Sequence, residues 1–260
     1  MAVNKPEEIT QIAINAGVTK VNSSILKMLI LGFLGGAFIA LGFLLDIRVS
    51  GSMPEAWGSF STFVGATVFP LGLILVLLAG AELITGNMMS VAMALYAKKI
   101  SIPALLKNWF WVTLANLVGA LFVAYFFGHV VGLTETGPFL DKTVAIAKAK
   151  TADSFLQTFI SAAGCNWLVC LAVWLSFGAT DFGGKVAGIW FPVTAFVAIG
   201  FQHVVANMFV IPAAIFAGQV TWGAFVGNVI PAFLGNVVGG AIFVGLFYYI
   251  SYAKSKTTTK

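Results

Sequence analysis

Two apolar runs in this chain are too long to cross a membrane once as straight helices. Phe60 to Tyr96 would form a rod of about 55 Å at 1.5 Å per residue, against a hydrocarbon core of about 30 Å. Val186 to Ala217 is overlong in the same way, and each run has flexible or polar residues near its middle. The first contains Gly80, Glu82, Thr85, Gly86 and Asn87; the second contains Gly200, Gln202, His203 and Asn207. A break in each is expected, and broken backbone at that depth is tolerated only where protein buries it or a wet cavity adjoins it. The runs Ile25 to Leu45, Pro103 to Val131, Phe155 to Phe177 and Ala224 to Tyr252 are each long enough for one crossing. Composition agrees, since 60% hydrophobic and 9% charged residues leave too little polar surface to cover a soluble globule. The sequence predicts an all-α membrane protein of six spans, the second and fifth of them broken.

The segments outside the spans are short. Residues 1–24 are expected to be a cytoplasmic N-terminal segment, with Pro6 opening a helix, Glu7 and Glu8 in its first turn, and Ile9, Ile12, Ala13 and Ala16 forming a stripe. Such a helix would lie at the membrane surface. Asp46, Arg48 and Gly51 to Glu55 read as one loop, and Thr134 to Asp153 as a longer polar one. The six-span part is expected at 25–252 and the Lys-rich tail at 253–260, the tail in the cytoplasm. The net charge of +5 is not a nucleic-acid signature, because the lysines cluster at helix ends. Cys165 and Cys170 fall on different sides of one helix, which suits small apolar fillers better than a disulfide.

Sliding the sequence by 120 residues brings out an internal repeat. Gly80 falls on Gly200, Asn87-Met88 on Asn207-Met208, Asn108 on Asn228, and Asn116 to Gly119 on Asn236 to Gly239. The repeats cover about 25–131 and 155–252. Each holds three spans, so the second must enter the membrane from the opposite side, and the broken helices of an inverted pair meet near the midplane. With both termini inside, Lys5, Lys20, Lys27, Lys98, Lys99, Lys107, Lys185, Lys254, Lys256 and Lys260 face the cytoplasm, against Arg48, Lys142, Lys148 and Lys150 outside.

Helices restarting near Asn87 and Asn207 would direct positive dipole ends at the membrane centre, which suits a small anion. Asn116 and Asn236 read as hydrogen-bonding glue between spans. His203 is an ionisable group deep in an apolar run and so a functional-site candidate. Glu82 reads first as the structural partner of a loop N–H or a lysine, and second as a proton relay. Three classes suit such a chain: an anion channel, passive or proton-coupled; an alternating-access transporter, which would need a coupling-ion site with only Glu82 available; and a membrane enzyme. The last would need paired histidines or a nucleophile with its base, whereas His129 and His203 lie on different spans. No metal or cofactor is expected.

Four motifs in order carry a resemblance to a known family. They are G-A-E-L-I-T-G-N from Gly80, Lys150 followed by C-N-W-L-V-C-L-A-V-W around Asn166, G-F-Q-H-V-V-A-N-M-F from Gly200, and I-P-A-F-L-G-N-V-V-G-G from Ile230. Together they resemble the formate/nitrite transporters, a family of formate, nitrite and hydrosulfide channels. The resemblance covers nearly the whole chain and implies an aquaporin-like protomer, a homopentamer in the cytoplasmic membrane, and a pore through each subunit. It implies His203 as the central histidine, Thr85 as its loop threonine, Lys150 as the vestibule lysine and Asn166 as the pore asparagine. It further implies two hydrophobic slits, Phe69 and Phe196 on the outer side, and Leu73, Ile84 and Val169 on the inner. The substrate implied is a small monovalent anion of a weak acid, formate first, with nitrite, hydrosulfide or a proton-coupled secondary transporter as alternatives.

Overall fold

The structure is a computed structural model that describes residues 3–253. Its helices are α1 (Pro6–Val21), α2 (Ile25–Ser50), α3 (Ser59–Gly80), α4 (Ile84–Tyr96), α5 (Ile102–Val130), α6 (Pro138–Ala152), α7 (Phe155–Gly178), α8 (Phe182–Ile199), α9 (Val204–Phe216) and α10 (Trp222–Ala253). Six of these, α2, α3, α5, α7, α8 and α10, are long and apolar enough to span a membrane. The protein is a multi-pass membrane protein built from two inverted repeats, in which α3–α4 and α8–α9 are the broken second and fifth spans. The tail expected from 253 lies, beyond Ala253, outside the described residues.

Local chemistry starts the helices where the sequence provides for it. Ser24, Ser101, Ser154, Asp181 and Thr221 each accept a backbone N–H of the following first turn, and Pro6, Ile102-Pro103 and Pro138 open helices where a missing N–H costs nothing. Two glycines stop α3 and α8. Gly80 at φ 93° and Gly200 at φ 86° take the left-handed conformation that other residues rarely adopt, and the chain then runs extended to Leu83 and to His203 before winding again. The new helices begin at Ile84 and Val204, one turn before the expected starts near Asn87 and Asn207. Both asparagines therefore sit inside the first turn rather than capping it.

Three further expectations change. The helix α2 continues to Ser50, so Asp46 and Arg48 are helical; Arg48 donates to Leu133 O at 3.3 Å and lies 3.5 Å over the Phe139 ring, contacts that extend the helix past the apolar run. The segment Thr134 to Asp153 is mostly the helix α6, whose buried side, Thr143 and Ala147, is too small to register as an apolar stripe. The stripe of α1 meets protein: Ile9, Ala13 and Ile14 pack with Met89, Met93, Cys170 and Trp174. Asn4 pins the start of this helix by donating from its backbone N and from Nδ2 to Gly178 O and Phe177 O, each at 2.8 Å. Both cysteines are free and buried.

The repeat sorts the faces of α5 and α10. Leu106, Phe110 and Leu114 on α5, and their counterparts Val226, Ile230 and Leu234 on α10, are exposed apolar residues on the outside of the protomer. On the inward side Asn108 and Asn116 match Asn228 and Asn236, all buried. Close approach of α2 to α5 depends on Gly119, where an added Cβ would overlap the backbone carbonyl of Phe33, whereas Gly227 on α10 faces open space. Gly119→Ala should therefore lower thermal stability in detergent by about 1–3 kcal/mol, with Gly227→Ala close to neutral. Equal melting temperatures for the two variants would contradict this packing.

Candidate functional site

At each break one asparagine from a neighbouring span takes the first N–H of the new helix and a carbonyl of the extended segment, while Glu82 N–H goes to Leu31 O and Gln202 N–H to Ser161 Oγ. Asn116 Oδ1 accepts Ile84 N–H at 2.9 Å while its Nδ2 donates to Gly32 O at 2.7 Å and Glu82 O at 2.8 Å. Asn236 repeats the pattern, accepting Val204 N–H at 2.9 Å and donating to Ala162 O at 2.8 Å and Gln202 O at 3.1 Å. These residues do more than join spans, since they hold the broken backbone that hydrocarbon would leave unpaired.

A second ring of polar residues lies beside each break. Asn87 Nδ2 donates to Glu82 Oε2 at 2.7 Å and to Asn108 Oδ1 at 3.0 Å; Asn207 Nδ2 donates to Gln202 Oε1 at 2.8 Å and to Asn228 Oδ1 at 2.7 Å. Asn108 then donates to Lys20 O and Asn228 to Lys150 O, at 3.3 and 2.7 Å. Lys20 and Lys150 are thus structural counterparts, each four residues ahead of the serine that caps the next span, Ser24 or Ser154. Their amines are held differently. Lys20 Nζ pairs with Glu82 Oε1 at 2.9 Å, whereas Lys150 Nζ donates to Gly200 O at 2.8 Å and Phe201 O at 2.7 Å. Where the first repeat has the carboxylate Glu82, the second has the neutral Gln202, which donates to Asp153 Oδ2 at 2.9 Å. Burial by the surrounding protein brings the Lys150 amine down to about 8, opposed by nearby charge including Asp153.

Three cavities follow one another through the protomer. The largest, about 390 Å³, lies beside α6 and is lined by Asp46, Lys142, Lys150, Asp153, Gln202 and His203 among others. One of about 210 Å³ lies beside α1 and includes Lys20, Leu73, Leu83 and Asn87. Between them is a pocket of only about 10 Å³, lined by Ile39, Phe69, Leu73, Leu83, Val169, Val193, Phe196 and His203. Phe69, Phe196 and His203 border both the large and the central cavity, and Leu73 and Leu83 border both the central and the α1 cavity. The rings of Phe69 and Phe196 meet edge to face at 5.8 Å, and Phe196 stacks on His203 at 5.7 Å.

His203 is 2% exposed and joined to both halves. Its Nδ1 accepts Ala206 N–H at 3.1 Å as the cap of α9, and its Nε2 lies 3.1 Å from Thr85 Oγ1. An Nδ1 that accepts places the single ring proton on Nε2, facing the threonine. Thr85 lines none of the three cavities, but contacts the pathway through the imidazole. Asn166, expected on the pathway, lines none of them either, because its amide donates to Thr85 O at 3.2 Å and Asn236 O at 2.7 Å and so clamps one break to the other. Ile84, expected in a slit, is fully buried elsewhere, and its neighbour Leu83 borders the cavities instead. Sequence reading missed Leu83, although it is the repeat counterpart of His203, and it missed the roles of Lys20, Gln202 and Asp46.

One narrow pocket walled by Phe69, Phe196, Leu73 and Leu83 beside an imidazole thus lies between two wider cavities, each bordered by a lysine. The family model described as Formate/nitrite transporter matches residues 7–250, and the chain belongs to that family, a group of transport proteins and not enzymes. It is 68% identical over 260 residues to an uncharacterized transporter, YrhG, of Bacillus subtilis, covering 100% of this chain and 98% of that one. It is 61% identical to the formate channel BtFdhC of Bacillus thuringiensis over the full length of both. A solved pentameric formate channel with formate bound superposes with a TM-score of 0.77 at 32% identity, covering 88% of this chain and 98% of that one.

Asn236→Leu keeps the branched skeleton but removes the acceptor for Val204 N–H and the donors to two carbonyls. Leaving such groups unpaired costs about 1–3 kcal/mol each, so the variant should unfold at a markedly lower temperature in detergent. An unchanged melting temperature would rule out the bracket.

Proposed function

We propose that the protein is a channel for small monovalent anions of weak acids, with formate as the first substrate and one proton travelling with each anion. The observation that carries this reading is the sequence of spaces itself. A charged solute can wait in a cavity beside a lysine, but the adjoining slits of phenylalanine and leucine offer an anion nothing in place of its water. A carboxylate moved toward such a site gains proton affinity, and the neutral acid passes far more cheaply. The relatives named as formate channels support the substrate, and the lysine balance supports N and C termini in the cytoplasm, with the α6 cavity opening outward. We place the protein in the cytoplasmic membrane as a homopentamer, for which the pentameric relative and the exposed apolar faces of α5 and α10 speak.

In this reading Lys150 draws the anion into the outer cavity, and Lys20, paired with Glu82, borders the cytoplasmic one. His203 and Thr85 form the polar point between slits Phe69–Phe196 and Leu73–Leu83, with Val169 beside the latter. The threonine hydroxyl accepts the ring's Nε2 proton, which fixes the tautomer and the orientation of the imidazole that borders the pocket. A second proton on Nδ1 would break the cap on Ala206, so the histidine holds and orients the acid, and the net proton enters with the substrate. Asn166, Asn87 and Asn207 keep the two breaks in register, and Glu82 anchors Lys20.

Proteoliposome uptake of formate, nitrite, hydrosulfide and lactate, measured in parallel, tests the reading. Formate should lead, uptake should rise with acidification, and anion affinity should weaken as pH rises through about 8, where Lys150 loses its charge. His203→Asn, which can still cap and donate, should keep proton-coupled flux, whereas His203→Phe should lower it about tenfold or more. No transport of any of the four solutes by the wild type would refute the function, and unaltered coupled flux in His203→Phe would refute the role of the ring.

A further inference from the structure

Asp46 reaches the same large cavity as Lys150, yet the passage described above makes no use of it. The residue is 6% exposed at the end of α2. Its carboxyl has one side-chain partner, Ser50 Oγ at 3.0 Å, whose single proton is shared with Asp46 O at 2.8 Å, and among the described residues it forms no ion pair. A buried carboxylate with one donor and no paired cation is costly, whereas the protonated form is not. The place is fitted to it: an added Cβ at Gly65 on α3 would overlap Asp46 Oδ1.

The charges around Asp46 decide what its proton does. From α6 and its end come Lys142, Lys150 and Asp153, and from the start of α9 the ring of His203. The helix α3 contributes Thr62 and no charge. Arg48, on the same helix as Asp46, is engaged with Leu133 O and Phe139, and His129 near the end of α5 pairs with Glu135. With Asp46 ionised, the two lysines of the cavity are balanced by Asp46 and Asp153; with Asp46 protonated, one positive charge is in excess. An anion is therefore a better guest of the protonated state. By reciprocity, an anion in the cavity makes Asp46 hold a proton more tightly.

We propose that Asp46 is the proton-loading group of the α6 vestibule. It binds a proton from water as the weak-acid anion enters, then gives that proton to the anion ahead of the Phe69–Phe196 slit. In the transfer the carboxyl O–H of Asp46 breaks and an O–H forms on the substrate, so the neutral acid moves on and a carboxylate stays behind. That carboxylate restores charge balance, discourages return of the anion and is reprotonated from the vestibule water. The inference rests on the anion-channel reading and names where its proton enters.

The test is formate uptake into proteoliposomes by the wild type, Asp46→Asn and Ser50→Ala across acid to mildly basic pH. Asp46→Asn fixes the vestibule in its positive state and removes the donor. Its apparent affinity should become independent of pH until Lys150 loses its charge, while its maximal rate falls about tenfold or more. Ser50→Ala withdraws the one donor to the carboxylate, so the midpoint of the pH profile should move to higher pH with the rate largely kept. Infrared difference spectra on adding formate should show a protonated-carboxyl band in the wild type that Asp46→Asn lacks. A wild-type pH profile and rate in Asp46→Asn, or an unmoved midpoint in Ser50→Ala, would overturn the proposal while leaving the channel intact. A wild type that carries no formate would remove the channel reading and this proposal together.

Discussion

The structure depends on pairing backbone that is not helical in the middle of an apolar protein. Two chains of three residues, Ala81 to Leu83 and Phe201 to His203, run extended between helices, and each unpaired N–H or C=O there would cost several kcal/mol in hydrocarbon. One asparagine per repeat answers part of that demand, with Leu31 O, Ser161 Oγ and Lys150 Nζ taking other groups, and its two roles as acceptor and donor tie three helices together. Asn166 then ties the carbonyl of Thr85 to that of Asn236, so neither break can move without the other. A rigid central point is the result, and the imidazole stands on it.

Against this shared frame the two repeats differ in charge. Glu82 binds Lys20 directly, while Gln202 leaves Lys150 on two backbone carbonyls, with the compensating carboxylates of Asp153 and Asp46 set apart from the amine. Leu83 and His203 differ in the same manner, one making a greasy wall and the other a polar point at equivalent positions. A symmetric scaffold thus supports an asymmetric path. The mouth at α6 holds several titratable groups within one cavity, and the mouth at α1 holds one closed ion pair.

Much of this could be read from the chain because membrane burial penalises polar residues that have no purpose. The spans followed from apolar length, and the breaks from length in excess of one crossing. The asparagine pairs followed from a single offset, as did the matching of Gly80 to Gly200. Other features were not legible for physical reasons. Lys20 and Lys150 are related by a different offset, since α2, the link after it and α3 are each longer than α7, its link and α8, so one slide of the sequence could not pair them. The helix α6 buries only small residues and looked like a loop. Leu83 rather than Ile84 meets the cavities because an extended backbone alternates its side chains, and the register at the break was unknown. Asn166 was assigned to the path by resemblance, yet its donors are spent on backbone, which composition cannot reveal.

The central claim is that the slits pass a neutral acid formed beside a charged vestibule. Its most direct measurement is formate uptake into proteoliposomes under an imposed membrane potential and, separately, an imposed pH gradient, with internal pH recorded alongside. The account predicts uptake that follows the pH gradient, carries protons inward with formate and ignores the potential. Uptake that follows the potential, with no accompanying proton, would contradict it.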